Sequence, residues 1–162
     1  MKVTFRLTTP EDGPTLGSWL NNPEILKWFP MASEREIEDS VRTWQGYAKM
    51  EAGVTAVYDG ESVGMANIYI QPYQKFVHQC LFAIIVKNSC RGQGVGTQLL
   101  GEVIRYAKEK FKIELLHLEV YDGNPAIGLY TKLGFVEYGR HPKFIKQEDG
   151  TYIDKIMMQK KL

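Results

Sequence analysis

Arg91-Gly92-Gln93-Gly94-Val95-Gly96-Thr97 is the stretch on which the reading of this 162-residue chain turns. Before it lies an unbroken apolar run, Leu81-Phe82-Ala83-Ile84-Ile85-Val86. After it, from Gly94 to Lys110, Leu99, Val103 and Ala107 fall on one helical face, with Leu100, Ile104 and Phe111 beside them. A buried strand, a glycine loop and a helix start are expected in that order. Glycines let the backbone approach a ligand closely. Free N–H groups at a helix start, with the helix dipole behind them, favour a phosphate, and Arg91 adds a fixed cation. Three glycines within five positions cost backbone entropy that a plain turn would not repay. An ATP-type loop needs Gly-Lys followed by Ser or Thr, and Gly96-Thr97-Gln98 stands here instead. A dinucleotide fingerprint starting at Gly92 needs a glycine where Thr97 stands, and it belongs after the first strand of a parallel unit. Both departures disfavour a nucleotide-dependent oxidoreductase.

Working outward, Val3, Phe5 and Leu7 alternate like an opening strand, and Thr9-Pro10-Glu11-Asp12 signals a helix start. Leu16, Trp19 and Leu20 make its apolar stripe. Asn22-Pro23-Glu24 begins a short turn carrying Trp28 and Phe29, which Pro30 ends. Ser33-Glu34-Arg35-Glu36 reads as a capping box, opening a second helix to about Ala48 with Ile37, Val41 and Trp44 inward. Val54–Tyr58 and Ser62–Ile70 flank Asp59-Gly60 as a hairpin. Val77–Lys87 reads as a central strand covered on both faces. Leu115–Val120 follows as a strand and Pro125–Leu133 as a helix stopped at Gly134. Phe135–Arg140, Lys143–Lys146 and Thr151–Met158 close the chain as three further strands, the last two joined at Asp149-Gly150. Trp28, Phe29, Trp44 and Tyr73 are expected in the core.

The balance of 20 Lys and Arg against 19 Asp and Glu leaves a formal charge of +1, so no nucleic-acid partner is expected. No window approaches about 18 consecutive apolar residues, so no membrane span is expected. The first residues carry no signal-peptide core, which points to the cytoplasm. The length fits one domain, residues 1–162, with its own core. If the run between Cys80 and Cys90 is extended, their thiols lie roughly 33 Å apart, well beyond the span of a disulfide. Both are read as free. His78, His117 and His141 lack metal spacing, and no metal is expected.

Arg91-x-x-Gly94-x-Gly96 after the strand Ala83–Val86 resembles the pyrophosphate-binding signature of the GNAT N-acetyltransferases, which bind acetyl-CoA. The second half of the resemblance is Leu118-Glu119-Val120, then Asn124-Pro125-Ala126-Ile127-Gly128-Leu129-Tyr130-Thr131-Lys132-Leu133-Gly134-Phe135. In that family a strand, an Asn and a helix ending in Tyr-x-x-x-Gly-Phe recur in this order. Asp149–Asp154, with Met158 beyond, resembles the last hairpin of bacterial members, some of which act on amino acids. The likeness covers essentially the whole chain and is strongest from Phe76 to Phe135. One departure is that Asn124 stands six residues before Tyr130 rather than seven, with Gly123 at the other position. The implied fold is α/β (α+β): a mixed, mostly antiparallel twisted sheet of about seven strands with about four helices on its two faces.

The resemblance implies direct acyl transfer from acetyl-CoA to an amine. The pyrophosphate would meet Arg91, Gly92, Gln93, Gly94, Val95, Gly96 and Thr97. The pantetheine arm would lie between Ala83–Val86 and Leu115–Val120, against backbone groups of Ile84, Ile85 and Val86, with Asn124 and Tyr130 at its side. An N–H near Ile85 or Val86 would polarise the thioester carbonyl. Tyr130 would give the departing thiolate its proton. Glu119 matches the glutamate that looks like the general base of ribosomal-protein alanine acetyltransferases, with His78 as the other candidate. The segment Trp28–Ser33 and the last hairpin would line the acceptor pocket. The expected acceptor is a small primary amine or amino acid. A protein N-terminus or lysine, and a non-catalytic acyl-CoA-binding module, stand as the alternatives, and a homodimer is left open.

Overall fold

The computed structural model describes all 162 residues, and its centre is one seven-stranded sheet. The strands are β1 (Thr4–Leu7), β2 (Gly53–Tyr58), β3 (Glu61–Tyr69), β4 (Gln79–Val86), β5 (Leu115–Tyr121), β6 (Val136–Lys146) and β7 (Tyr152–Lys161), in the order β1-β2-β3-β4-β5-β7-β6. Every pairing is antiparallel except β4 with β5. The helices are α1 (Gly13–Leu20), α2 (Pro23–Leu26), α3 (Glu34–Lys49), α4 (Val95–Phe111) and α5 (Ala126–Lys132). No helix is long and apolar enough to cross a membrane.

Strand alternation sorts two cores onto opposite faces. Leu99, Leu100, Val103 and Ala107 of α4 pack with Ala66, Phe82, Leu116, Leu118 and Phe135 on one face. Leu16 and Leu20 of α1, Ile25 of α2 and Ile37 and Trp44 of α3 pack with Met65 and Ile85 on the other. The Ser33 hydroxyl accepts from the Glu36 amide while Glu36 reaches back to the Ser33 amide, the expected capping box.

Several expectations are corrected. The Asn22-Pro23-Glu24 turn closes a short helix, α2, under an Asn22 cap. Phe135–Arg140 and Lys143–Lys146 are one strand, β6. Pro142 has no N–H to give, and the chain bulges there: Lys143 has φ +55°, and pairing resumes at Ile145. β7 runs to Lys161, beyond the expected end at Met158, with Lys160 and Lys161 opposite Leu116 and Leu115. Tyr73 is 68% exposed and lies outside both cores. Cys80 and Cys90 are free and buried, but β4 ends at Val86 and a 3-10 turn, Asn88–Cys90, follows, so the segment between them is not extended throughout.

Arg6 of β1 and Asp12 tie the sheet to the start of α1. Both guanidinium ends meet the carboxylate, at 2.7 and 2.6 Å, and the Thr9 amide donates to it at 2.9 Å. Burial pushes the Asp12 pKa up, but the bonds from Arg6 and Thr9 outweigh it and hold the group below the usual carboxylate value. The stability from this lowered value is present above the unfolded carboxylate pKa, about 3.9, and is lost as pH falls through the folded one. Urea titrations should therefore show the wild type losing more stability than Asp12→Asn between pH 6 and pH 3. Parallel losses would mean that the pair contributes no linkage.

Candidate active site

β4 and β5 run side by side for three residue pairs, Gln79 with Leu115, Cys80 with Leu116 and Leu81 with His117, and then part. β4 keeps β3 as far as Val86, and β5 keeps β7 as far as Tyr121. The fork opens a cleft of about 820 Å³. Phe82–Val86 line one side of it and Leu118–Tyr121 the other. The half-burial of Ala83, Ile84 and Val86, against the sequence expectation of a strand covered on both faces, follows from this opening.

The register decides which backbone groups face the gap. The Lys87 amide donates to the Val63 carbonyl, so Lys87 faces β3. Backbone direction alternates along a strand, so Ile85 and Ala83 also face β3, whereas Val86 and Ile84 turn their N–H and C=O groups toward the fork. The His78 carbonyl, of the same parity, bonds Glu114 and Leu115 at the start of β5. The Ile85 backbone is thus taken up by the sheet. Its side chain faces the α1–α3 core.

At one end of the fork the glycine loop turns into α4. Gly94 caps the helix at φ +80°, a conformation that L side chains rarely adopt. A Cβ on Gly96 would stand 3.2 Å from the Leu129 side chain, so the glycine lets α4 and α5 approach. The amides of Val95, Gly96 and Thr97 have no carbonyl one turn back within the helix and remain available to an anion. Val95 offers only its backbone, because its side chain is buried in the core. Gln93 is exposed and donates to the Ser89 carbonyl. Arg91 lines the cleft and donates to the Glu24 carbonyl of α2 at 3.2 Å. Burial lowers its pKa and the Glu24 charge opposes that.

Below the fork, Tyr130 packs with Phe82 and Phe135, the three ring centroids 5.7–6.3 Å apart. Tyr130 is 7% exposed and lines the cleft. Burial alone pushes its hydroxyl up to about 12. The Asn124 side-chain Oδ1 accepts from the Ala126 amide at 2.9 Å and so starts α5. Asn124 lines the cleft along the same wall.

Glu119 lines the opposite side, with Oε2 3.0 Å from Lys155 Nζ. Lys155 also sits 3.9 Å over the Phe144 ring. Trp28, Phe29, Met31, Trp44 and Tyr69 close the cleft on the α1–α3 face. Trp28 and Phe29 are half-buried walls rather than core. Tyr69, Phe144 and Lys155 were not singled out from sequence. The apolar cluster Trp28-Phe29-Pro30-Met31 outside any long helix was the available signal for the wall. His78 is exposed and does not line the cleft, so the fork brings together Glu119 and Tyr130 but leaves out the alternative base.

The family model described as the acetyltransferase (GNAT) family matches residues 19–135. The chain is 30% identical to an L-methionine sulfoximine/L-methionine sulfone acetyltransferase of Pseudomonas paraeruginosa over 149 residues, 91% of this chain and 80% of that one. Among solved structures, a ribosomal-protein-alanine N-acetyltransferase from Brucella melitensis superposes with a TM-score of 0.81 at 27% identity, covering 98% of this chain and 99% of that one. A phosphinothricin acetyltransferase from Sinorhizobium meliloti, solved in complex with AcCoA, shares the fold with a TM-score of 0.78 at 21% identity, covering 100% of this chain and 89% of that one.

Calorimetry on the loop variants checks the anion end. Gly94→Val should abolish measurable acetyl-CoA binding. Arg91→Ala should weaken it by about 1.5–3 kcal/mol if the guanidinium makes a charge-assisted bond to the ligand. Unchanged affinity in both would remove the loop from the site.

Proposed function

The chain belongs to the GNAT acetyltransferase family and is an acyl-CoA-dependent N-acyltransferase that uses acetyl-CoA; from that premise we propose that it acetylates the primary amine of a small molecule by direct attack, with Tyr130 as general acid and Glu119 as base. The observation that carries the reading is the fork itself, with the glycine loop at its end, Tyr130 beneath it and Glu119 across it. The two strands offer backbone groups to an extended ligand lying where a strand is missing. The amides of Ile84 and Val86 are the donors placed for the pantetheine arm and the thioester carbonyl. Arg91 and the amides from Gly92 to Thr97 hold the pyrophosphate. Asn124 steadies the arm.

A free amine has a pKa near ~10 and arrives protonated. Glu119, directly or through a water, takes that proton and frees the nitrogen lone pair. A C–N bond then forms at the acetyl carbon as the C–S bond breaks. Tyr130 gives its hydrogen to the departing sulfur, and the second nitrogen proton restores Tyr130 through the solvent chain. A hydroxyl at about 12 keeps its proton throughout the physiological range. Complete transfer to a thiolate of pKa near ~8.5 runs uphill, so Tyr130 works as a relay that moves its proton as the acylated nitrogen loses one. The relatives that act on methionine sulfoximine and methionine sulfone support a small acceptor, as does a cleft closed by Trp28, Phe29 and Phe144.

Tyr130→Phe should lower kcat by about 10²-fold or more with acetyl-CoA affinity nearly unchanged, because only proton donation is lost. Full kcat in that variant would take Tyr130 out of the mechanism and favour a non-catalytic acyl-CoA-binding module. Glu119→Gln should cut kcat/KM steeply at neutral pH. The deficit should shrink as pH rises toward the amine's own pKa, since more amine then arrives neutral. A pH-rate profile displaced equally at every pH would indicate a positioning role instead.

A further inference from the structure

Arg91 and Glu119 are the only charged residues that line the cleft, and they stand in different parts of it. Arg91 belongs to the glycine-loop end and is bonded to the Glu24 carbonyl. Toward the acceptor the walls are Trp28, Phe29, Met31, Trp44 and Tyr69, with Glu119 as the only formal charge among the lining groups. Two ammoniums touch residues of these walls, and each is already paired: Lys155 with Glu119 at 3.0 Å and the face of Phe144 at 3.9 Å, and Lys27, 5.6 Å over Trp28, with Glu24 at 2.7 Å. The Lys155 side chain is 12% exposed.

An acceptor entering here leaves water for aromatic faces. An ammonium finds compensation, because ring faces attract cations and Glu119 supplies the opposite charge. A carboxylate finds none: no lysine or arginine lines these walls, ring faces repel it, and a buried charge without a partner is strongly penalised. We infer that the acceptor is a hydrophobic monoamine without a carboxylate, an aryl- or alkylamine whose apolar body lies against Trp28, Phe29 and Met31 while its nitrogen points toward Glu119. This rests on the acyl-transfer reading above and narrows it. It also separates this chain from the relative that acts on methionine sulfoximine and methionine sulfone, both of them amino acids.

The test uses the intact enzyme, acetyl-CoA and matched pairs that differ by the carboxylate alone: 2-phenylethylamine with phenylalanine, tryptamine with tryptophan, and 3-(methylthio)propylamine with methionine. Thiol release gives kcat/KM for each. The amine of each pair should exceed its amino acid by about 10²-fold or more, the scale on which a site rejects a group whose polar needs it cannot meet. Met31→Arg, which brings a guanidinium to the wall, should narrow that ratio by roughly tenfold, the effect of supplying one charged partner. Amino acids turned over as well as or better than their amines would overturn the inference and leave the acyl-transfer reading standing. Turnover of polyamines, aminosugars or peptides but of none of the pairs would do the same. No thiol release with any amine, from a protein that binds acetyl-CoA by calorimetry, would bring down the acyl-transfer reading itself.

Discussion

β4 and β5 stay together only as far as Leu81 and His117, although each keeps its other neighbour to the end. Beyond that point, in the middle of a sheet, two strands turn unpaired backbone toward each other. These groups face an open cleft, where an extended, hydrogen-bonding ligand can pair them. The rest of the molecule is arranged around it. Tyr130, Phe82 and Phe135 fill the space beneath, α4 and α5 close on each other through Gly96, and the glycine loop presents its amides at the end of the fork.

The same geometry explains how one cleft serves two reactants. Alternation along β4 sends Ile84 and Val86 side chains toward the α4 core and Ala83 and Ile85 toward the α1–α3 core. The backbone in between faces the fork. On the proposed reading the acyl donor meets main chain and the glycine loop, which any sequence of suitable shape can supply. On the same reading the acceptor meets the side chains that line the cleft, Trp28, Phe29, Met31 and Glu119.

Much of this was legible in the sequence because it is encoded locally. Gly94 must adopt a positive φ, and the loop follows a buried apolar run and precedes an amphipathic helix. Tyr130 and Phe135 share a helix and its cap. What could not be read depends on residues far apart in the chain. Glu119 and Lys155 meet only because β7 pairs beside β5. Whether Ile85 or Val86 faces the fork turns on the register of Lys87 against Val63, a parity that no local pattern fixes. β6 was read as two strands, whereas the hairpin absorbs Pro142 in a bulge and resumes pairing at Ile145. Tyr73 looked like core on residue type alone and lies exposed in the connection between β3 and β4.

Amide hydrogen exchange followed residue by residue, with and without acetyl-CoA, tests the fork most directly. Ile85, bound to β3, should exchange slowly in both states. Ile84 and Val86 should exchange faster in the free protein and slow markedly when acetyl-CoA is added. If acetyl-CoA binds and the exchange of Ile84 and Val86 does not change, the ligand does not occupy the gap between β4 and β5, and the account built on that gap is wrong.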